Sequence, residues 1–106
     1  MLRYATALVL VLASIAIADA PTIKGGFAFD EMRPQKSKCA KVDGALLKKL
    51  SAKTYTCTTP ENVNESASGK PLIANCQTKK QDSIYLVLHT MKDCVDERET
   101  QLANGE

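Results

Sequence analysis

Four cysteines constrain this chain more than any other feature. They stand at Cys39, Cys57, Cys76 and Cys94, with 17, 18 and 17 residues between successive members. Structural zinc usually takes cysteines roughly two to four residues apart, so this spacing, with a single histidine, does not read as a metal site. It reads as two disulfides formed in an oxidising compartment.

The amino terminus points to the same compartment. Arg3 precedes an uncharged apolar run from Ala5 to Ala18, broken only by Thr6 and Ser14, and the segment ends in small residues. That is the layout of a secretory signal peptide. The run holds 14 residues, short of the roughly 20 that cross a bilayer as a helix, so contact with the membrane is expected only through the uncleaved signal. Ala16 with Ala18, or Ala18 with Ala20, supplies the small pair that the peptidase reads. Cleavage after Ala18 is preferred, because cleavage after Ala20 would leave Pro21 next to the scissile bond.

Removing residues 1–18 leaves Asp19–Glu106, or 106 − 18 = 88 residues, enough for one small domain. Of the 14 Lys and Arg, 13 remain once Arg3 is gone, against 12 Asp and Glu. A net charge of +1 argues against a general polyanion binder, so no nucleic-acid partner is expected.

Residues 19–36 read as an extended arm, since Pro21, Gly25, Gly26 and Pro34 break any helical pattern. Within it Phe27-Ala28-Phe29 places both phenylalanines on one side of an extended strand, suited to packing on the core or pairing with a sheet edge. The domain proper spans 37–106. Ser37 can cap a helix in which Cys39, Val42, Leu46 and Leu50 form one apolar stripe. Gly44 weakens that helix, and a short strand ending at Asp43-Gly44 before a shorter helix is the alternative. Thr54–Thr58 reads as a strand. If it doubles back along the helix, about 18 Å of helix and about 13 Å of strand bring Cys57 to Cys39.

Pro60 to Lys70 is a polar loop that contains the N-glycosylation pattern Asn64-Glu65-Ser66. A hairpin follows, with Leu72, Ala74 and Cys76 on one face of its first strand and Ile84, Leu86 and Leu88 on the core face of its second. The link Lys79-Lys80-Gln81-Asp82 lacks glycine and suits a turn of about four or five residues. Thr90 with Asp93 forms a capping box for a last helix, on which Met91, Cys94, Val95 and Leu102 share a side and which Asn104-Gly105 can end. Counted from the hairpin turn, Cys76 lies about 17 Å and Cys94 about 21 Å up, which favours a Cys76–Cys94 bridge beside Cys39–Cys57.

These elements define an α+β domain of order helix, strand, strand, strand, helix, with an antiparallel sheet covered on one face by helices. Chemistry is sparse. No phosphate loop, cofactor motif or metal motif is present, and the carboxylates Asp93, Asp96, Glu97 and Glu99 read as a solvated helix face rather than an acid pair or calcium loop. His89 has no nucleophile or orienting group placed beside it in the sequence, so no catalytic residue is assigned.

The expectation is a non-enzymatic, secreted or periplasmic protein that binds a protein or another extracytoplasmic macromolecule. Its candidate contact surface is the outer sheet face around Ile73, Tyr85, Val87 and His89. An inhibitor or toxin-like effector that inserts the Pro60–Lys70 loop into a secreted enzyme is the alternative, and a very small hydrolase centred on His89 is the third.

Overall fold

A computed structural model describes residues 21–60 and 66–105. The expected signal peptide and its cleavage site, and Asn64 and Glu65 of the glycosylation pattern, lie outside the described residues. The elements in chain order are β1 (Phe27–Asp30), β2 (Ala40–Lys41), α1 (Gly44–Ser51), β3 (Tyr55–Thr58), β4 (Leu72–Thr78), β5 (Ile84–Leu88) and α2 (Met91–Asn104). The five strands form one antiparallel sheet in the order β2-β1-β5-β4-β3. The α+β class with two disulfides is as the sequence indicates, but two strands precede the first helix.

The first of these is the Phe27–Phe29 stretch, which packs on the core and pairs in the sheet as the sequence suggests, but inside the sheet rather than at its edge. Residues 27–30 are β1, paired with β2 on one side and with β5 on the other. Phe29 and Ala28 are buried on opposite faces of it. The domain therefore begins well before residue 37.

The helix expected from Lys38 is also shorter. Asp43 is extended, with φ −153° and ψ 178°, and Gly44 has φ +50°, a left-handed value that favours glycine. A helix cannot run through that pair, so Ala40–Lys41 pairs as β2 and α1 starts at Gly44. Leu46, Leu47 and Leu50 then turn inward, with Leu50 buried.

The hairpin carries an irregularity that decides which residues share a face. Leu72 pairs with Leu88, but the register slips between Leu72 and Ala74, so that Ala74 faces Val87 and Cys76 faces Tyr85. A bulge of one residue moves everything after it to the other face. Leu72, Ile84, Leu86 and Leu88 join Phe27 and Phe29 on one side. Ala74, Cys76, Tyr85 and Val87 join Ala28 and Val42 on the other. The five-residue link 79–83 closes the hairpin with Gln81 at φ +60°.

Helices cover both faces of the sheet rather than one. α1 lies over the Val87 side, and α2 lies over the Leu86 side. Thr90 caps α2 by accepting from the Asp93 N–H at 3.0 Å, as the capping box indicates, and the helix ends at Asn104. Its orientation differs from the expected one. Cys94 and Glu97 face inward and are buried, whereas Met91 and Val95 are exposed.

The two-sided arrangement explains the disulfides, which are Cys39–Cys94 and Cys57–Cys76 rather than Cys39–Cys57 and Cys76–Cys94. Cys57 and Cys76 are directly opposite each other on β3 and β4, on the α1 side. Cys39 and Cys94 meet on the α2 side, with Cα atoms 6.1 Å apart. Both pairs that lengths alone favour would have to reach across the sheet.

Candidate interaction surface

The bulge that turns Cys76 toward Tyr85 also sets the surroundings of Tyr85. Its ring meets the Tyr55 ring edge to face, with centroids 6.0 Å apart and planes at 72°. The Lys49 ammonium lies 5.0 Å from the Tyr85 ring centre and donates to its hydroxyl at 3.1 Å. That hydrogen bond raises the Lys49 pKa above its ordinary value, and the smaller effect of burial opposes it.

A second chain of bonds fixes Tyr55. The Ser83 hydroxyl donates to Asp30 Oδ2 at 2.9 Å, which leaves the Tyr55 O–H to donate to Ser83 Oγ at 2.7 Å. Asp30 is only 4% exposed and also accepts from the Met32 N–H, the Ile84 N–H and Arg33. Each proton donor aimed at this carboxylate offsets the cost of burying it. The tyrosines are thus half-buried, oriented from below, and open at their outer edge.

Charge is segregated around this pair. From Gly44 to Lys53 the chain has Lys48, Lys49 and Lys53 and no acidic residue. All three lysines are exposed, and none makes an ion pair among the described residues. α2, across the sheet, carries Asp93, Asp96, Glu97 and Glu99 against Lys92 and Arg98. Lys70 and Lys92 pair with Asp93 and Asp96, and Glu97 is buried, so the α2 side is close to charge balance and the unpaired positive charge lies on the α1 side.

Of the residues proposed from sequence, Tyr85 is at this surface. Val87 is buried and Ile73 is partly buried against the same cluster, because α1 covers the face that was expected to be open. His89 is exposed at the end of β5, and no side chain of the described residues hydrogen-bonds to it. Lys49 and Tyr55, which complete the surface, were missed. They come from elements not adjacent to β5 in the chain; the helix and the strand that carry them are legible in the sequence, but their meeting at Tyr85 is not.

The loop of the alternative reading is anchored at its base. Glu97, with no exposure to solvent, accepts from the Ala67 N–H at 2.9 Å, the Ser68 N–H at 2.8 Å, the Ser68 hydroxyl and Gln101 Nε2 at 2.7 Å. Burial would raise its pKa, but the hydrogen bonds from Ser68, Gln101 and Ala67 outweigh that and hold it below the ordinary value of 4.5. The acidic helix face is thus solvated at Glu99 and structural at Glu97. No group of three or more His, Cys, Asp or Glu side chains among the described residues is placed to hold a metal ion.

Comparisons with known protein families, curated proteins and solved structures return no match. Two disulfides fit an oxidising compartment, and no helix among the described residues is long and apolar enough to cross a membrane.

Proposed function

We propose that this chain is an exported, non-enzymatic binding protein that docks the Tyr55–Tyr85 pair and the lysines of α1 onto an acidic surface of another extracytoplasmic protein. The observation that carries this reading is the oriented tyrosine pair beside exposed lysines without acidic partners. Tyrosines held in place lose little conformational freedom on binding and are enriched at interface centres. The α1 lysines supply steering toward an acidic partner. α1 exposes no large apolar side chain that could insert into lipid, which favours a protein surface over a bilayer.

A photo-crosslinking residue placed at position 48 or 53 of the exported protein in its native host tests the proposal, with position 99 on the opposite side as reference. One partner of acidic sequence captured at 48 and 53, absent at 99 and lost in Tyr85→Glu, supports it. Capture that survives Tyr85→Glu and disappears when residues 61–65 are deleted moves the contact to the loop and favours the inhibitor reading. A substrate turned over by the wild type and spared by His89→Ala would favour the small hydrolase.

A further inference from the structure

One flank of α2 presents a seam that its own domain covers only in part. Met91, Val95, Arg98 and Leu102 follow one another at intervals of four, three and four residues, and at 100° per residue they fall within about a 60° arc. Met91 is 42% and Val95 36% exposed, although a helix normally turns such residues inward. The inward positions are taken by Cys94, committed to its disulfide, and Glu97, committed to Ser68. Arg98 directs its Nε–H to the carbonyls of Pro34 and Ser37, which holds its guanidinium at that segment.

Beyond the carboxyl end of the seam is a cleft of about 420 Å³, whose walls include Met32, Pro34, Lys36 and Leu102. Met32 is 50% exposed there. The face therefore has an exposed methionine at one end and an open, partly apolar cleft at the other. Methionine is the side chain best suited to filling an irregular cleft.

We infer that α2 pairs antiparallel with α2 of a second copy of this chain about a two-fold axis near Asp96–Glu97. In that register Met91 lies opposite the second copy's Leu102 and enters its cleft beside Met32, while Val95 packs on the stem of the second Arg98. Each contact occurs twice, as an isologous interface requires. Charge complementarity selects a second copy over an unrelated helix. Lys92, its side chain 80% exposed and 3.0 Å from Asp96 of its own helix, flanks one end of the seam, Glu99 flanks the other end on the same side, and antiparallel pairing brings each Lys92 toward the opposite Glu99 as a second carboxylate partner. The two α1 surfaces then point away from each other, so both remain accessible.

Two helices of this length bury less than a standard interface, so the dimer is expected to be weak and to dissociate on dilution. Sedimentation equilibrium of the exported protein, from about 10 µM to about 1 mM, reads this directly. Val95→Asp is expected to weaken association at least about tenfold while leaving the thermal midpoint unchanged, because residue 95 lies outside the core. Lys92→Glu is expected to weaken it as well, and Lys92→Glu combined with Glu99→Lys to restore it. A wild type that stays monomeric across the range, a dimer that survives Val95→Asp, or a charge swap that fails to restore association overturns the inference.

Discussion

Glu97 and Ser68 are joined twice, through the Ser68 N–H at 2.8 Å and the Ser68 hydroxyl, at a carboxylate that solvent does not reach. The contact ties the segment before β4 to the inner side of α2. Glu97→Gln would place an amide NH₂ against donors and leave at least one of them unpaired, which costs about 1–3 kcal/mol. Chemical denaturation is expected to show that loss, and limited proteolysis to cut residues 61–70 sooner.

The same carboxylate sets an acid limb. Its folded pKa is depressed, so its contribution is present above the unfolded value near 4.5 and is lost as pH falls through the folded value below 4.5. Glu31 has the opposite sign. Burial raises its pKa, against the hydrogen bond from Gln101, so its contribution is present below 4.5 and lost as pH rises through the folded value above 4.5. Thermal midpoints measured against pH are expected to fall less steeply below 4.5 in Glu97→Gln than in the wild type, and Glu31→Gln is expected to flatten the curve only above 4.5.

Gly26 lies against β5 so closely that a Cβ there would meet Val87 Cγ1 at 2.6 Å, with Ile73 Cδ1 and Leu88 O each at 3.1 Å. Gly26→Ala is expected to lower stability by about 1–3 kcal/mol in a denaturant titration, as overpacking of a filled core does. At Gly25 the added Cβ meets nothing within 4 Å, but the residue has φ +87°, so Gly25→Ala tests backbone strain without crowding.

The two disulfides close loops of unequal length, with sequence separations of 55 for Cys39–Cys94 and 19 for Cys57–Cys76. Chain entropy assigns them about 4 and 3 kcal/mol. Replacing Cys39 and Cys94 with serine is expected to lower the denaturation midpoint more than replacing Cys57 and Cys76.

What the sequence makes legible is mostly local. The hairpin link, the Thr90 cap and the end of α2 at Asn104 depend on residues within a few positions of one another. The pairing of Phe27 with Leu88 joins the two ends of the domain, and nothing near either residue announces it. Gly44 marks the break between a short strand and a shorter helix, the alternative the sequence offers to a continuous helix, and its positive φ makes it the helix start. The slip at Ile73 has the widest consequence. It exchanges the faces of Ala74 and Cys76, and with them the disulfide partner of Cys76. Tyr85 was found as a surface residue because alternation along β5 is intact, but Lys49 and Tyr55 reach it only through tertiary packing.

Peptide mapping without reduction tests the two-sided architecture most directly, since the two candidate surfaces depend on α1 and α2 lying on opposite faces. Lys70 precedes Pro71, a bond that trypsin cuts poorly, so cleavage after Glu61 and Glu65 is needed to separate Cys57 from Cys76. Peptides linking Cys39 to Cys94 and Cys57 to Cys76 are the expected result. Cys39 linked to Cys57, with Cys76 linked to Cys94, would place both helices on one face and contradict the architecture.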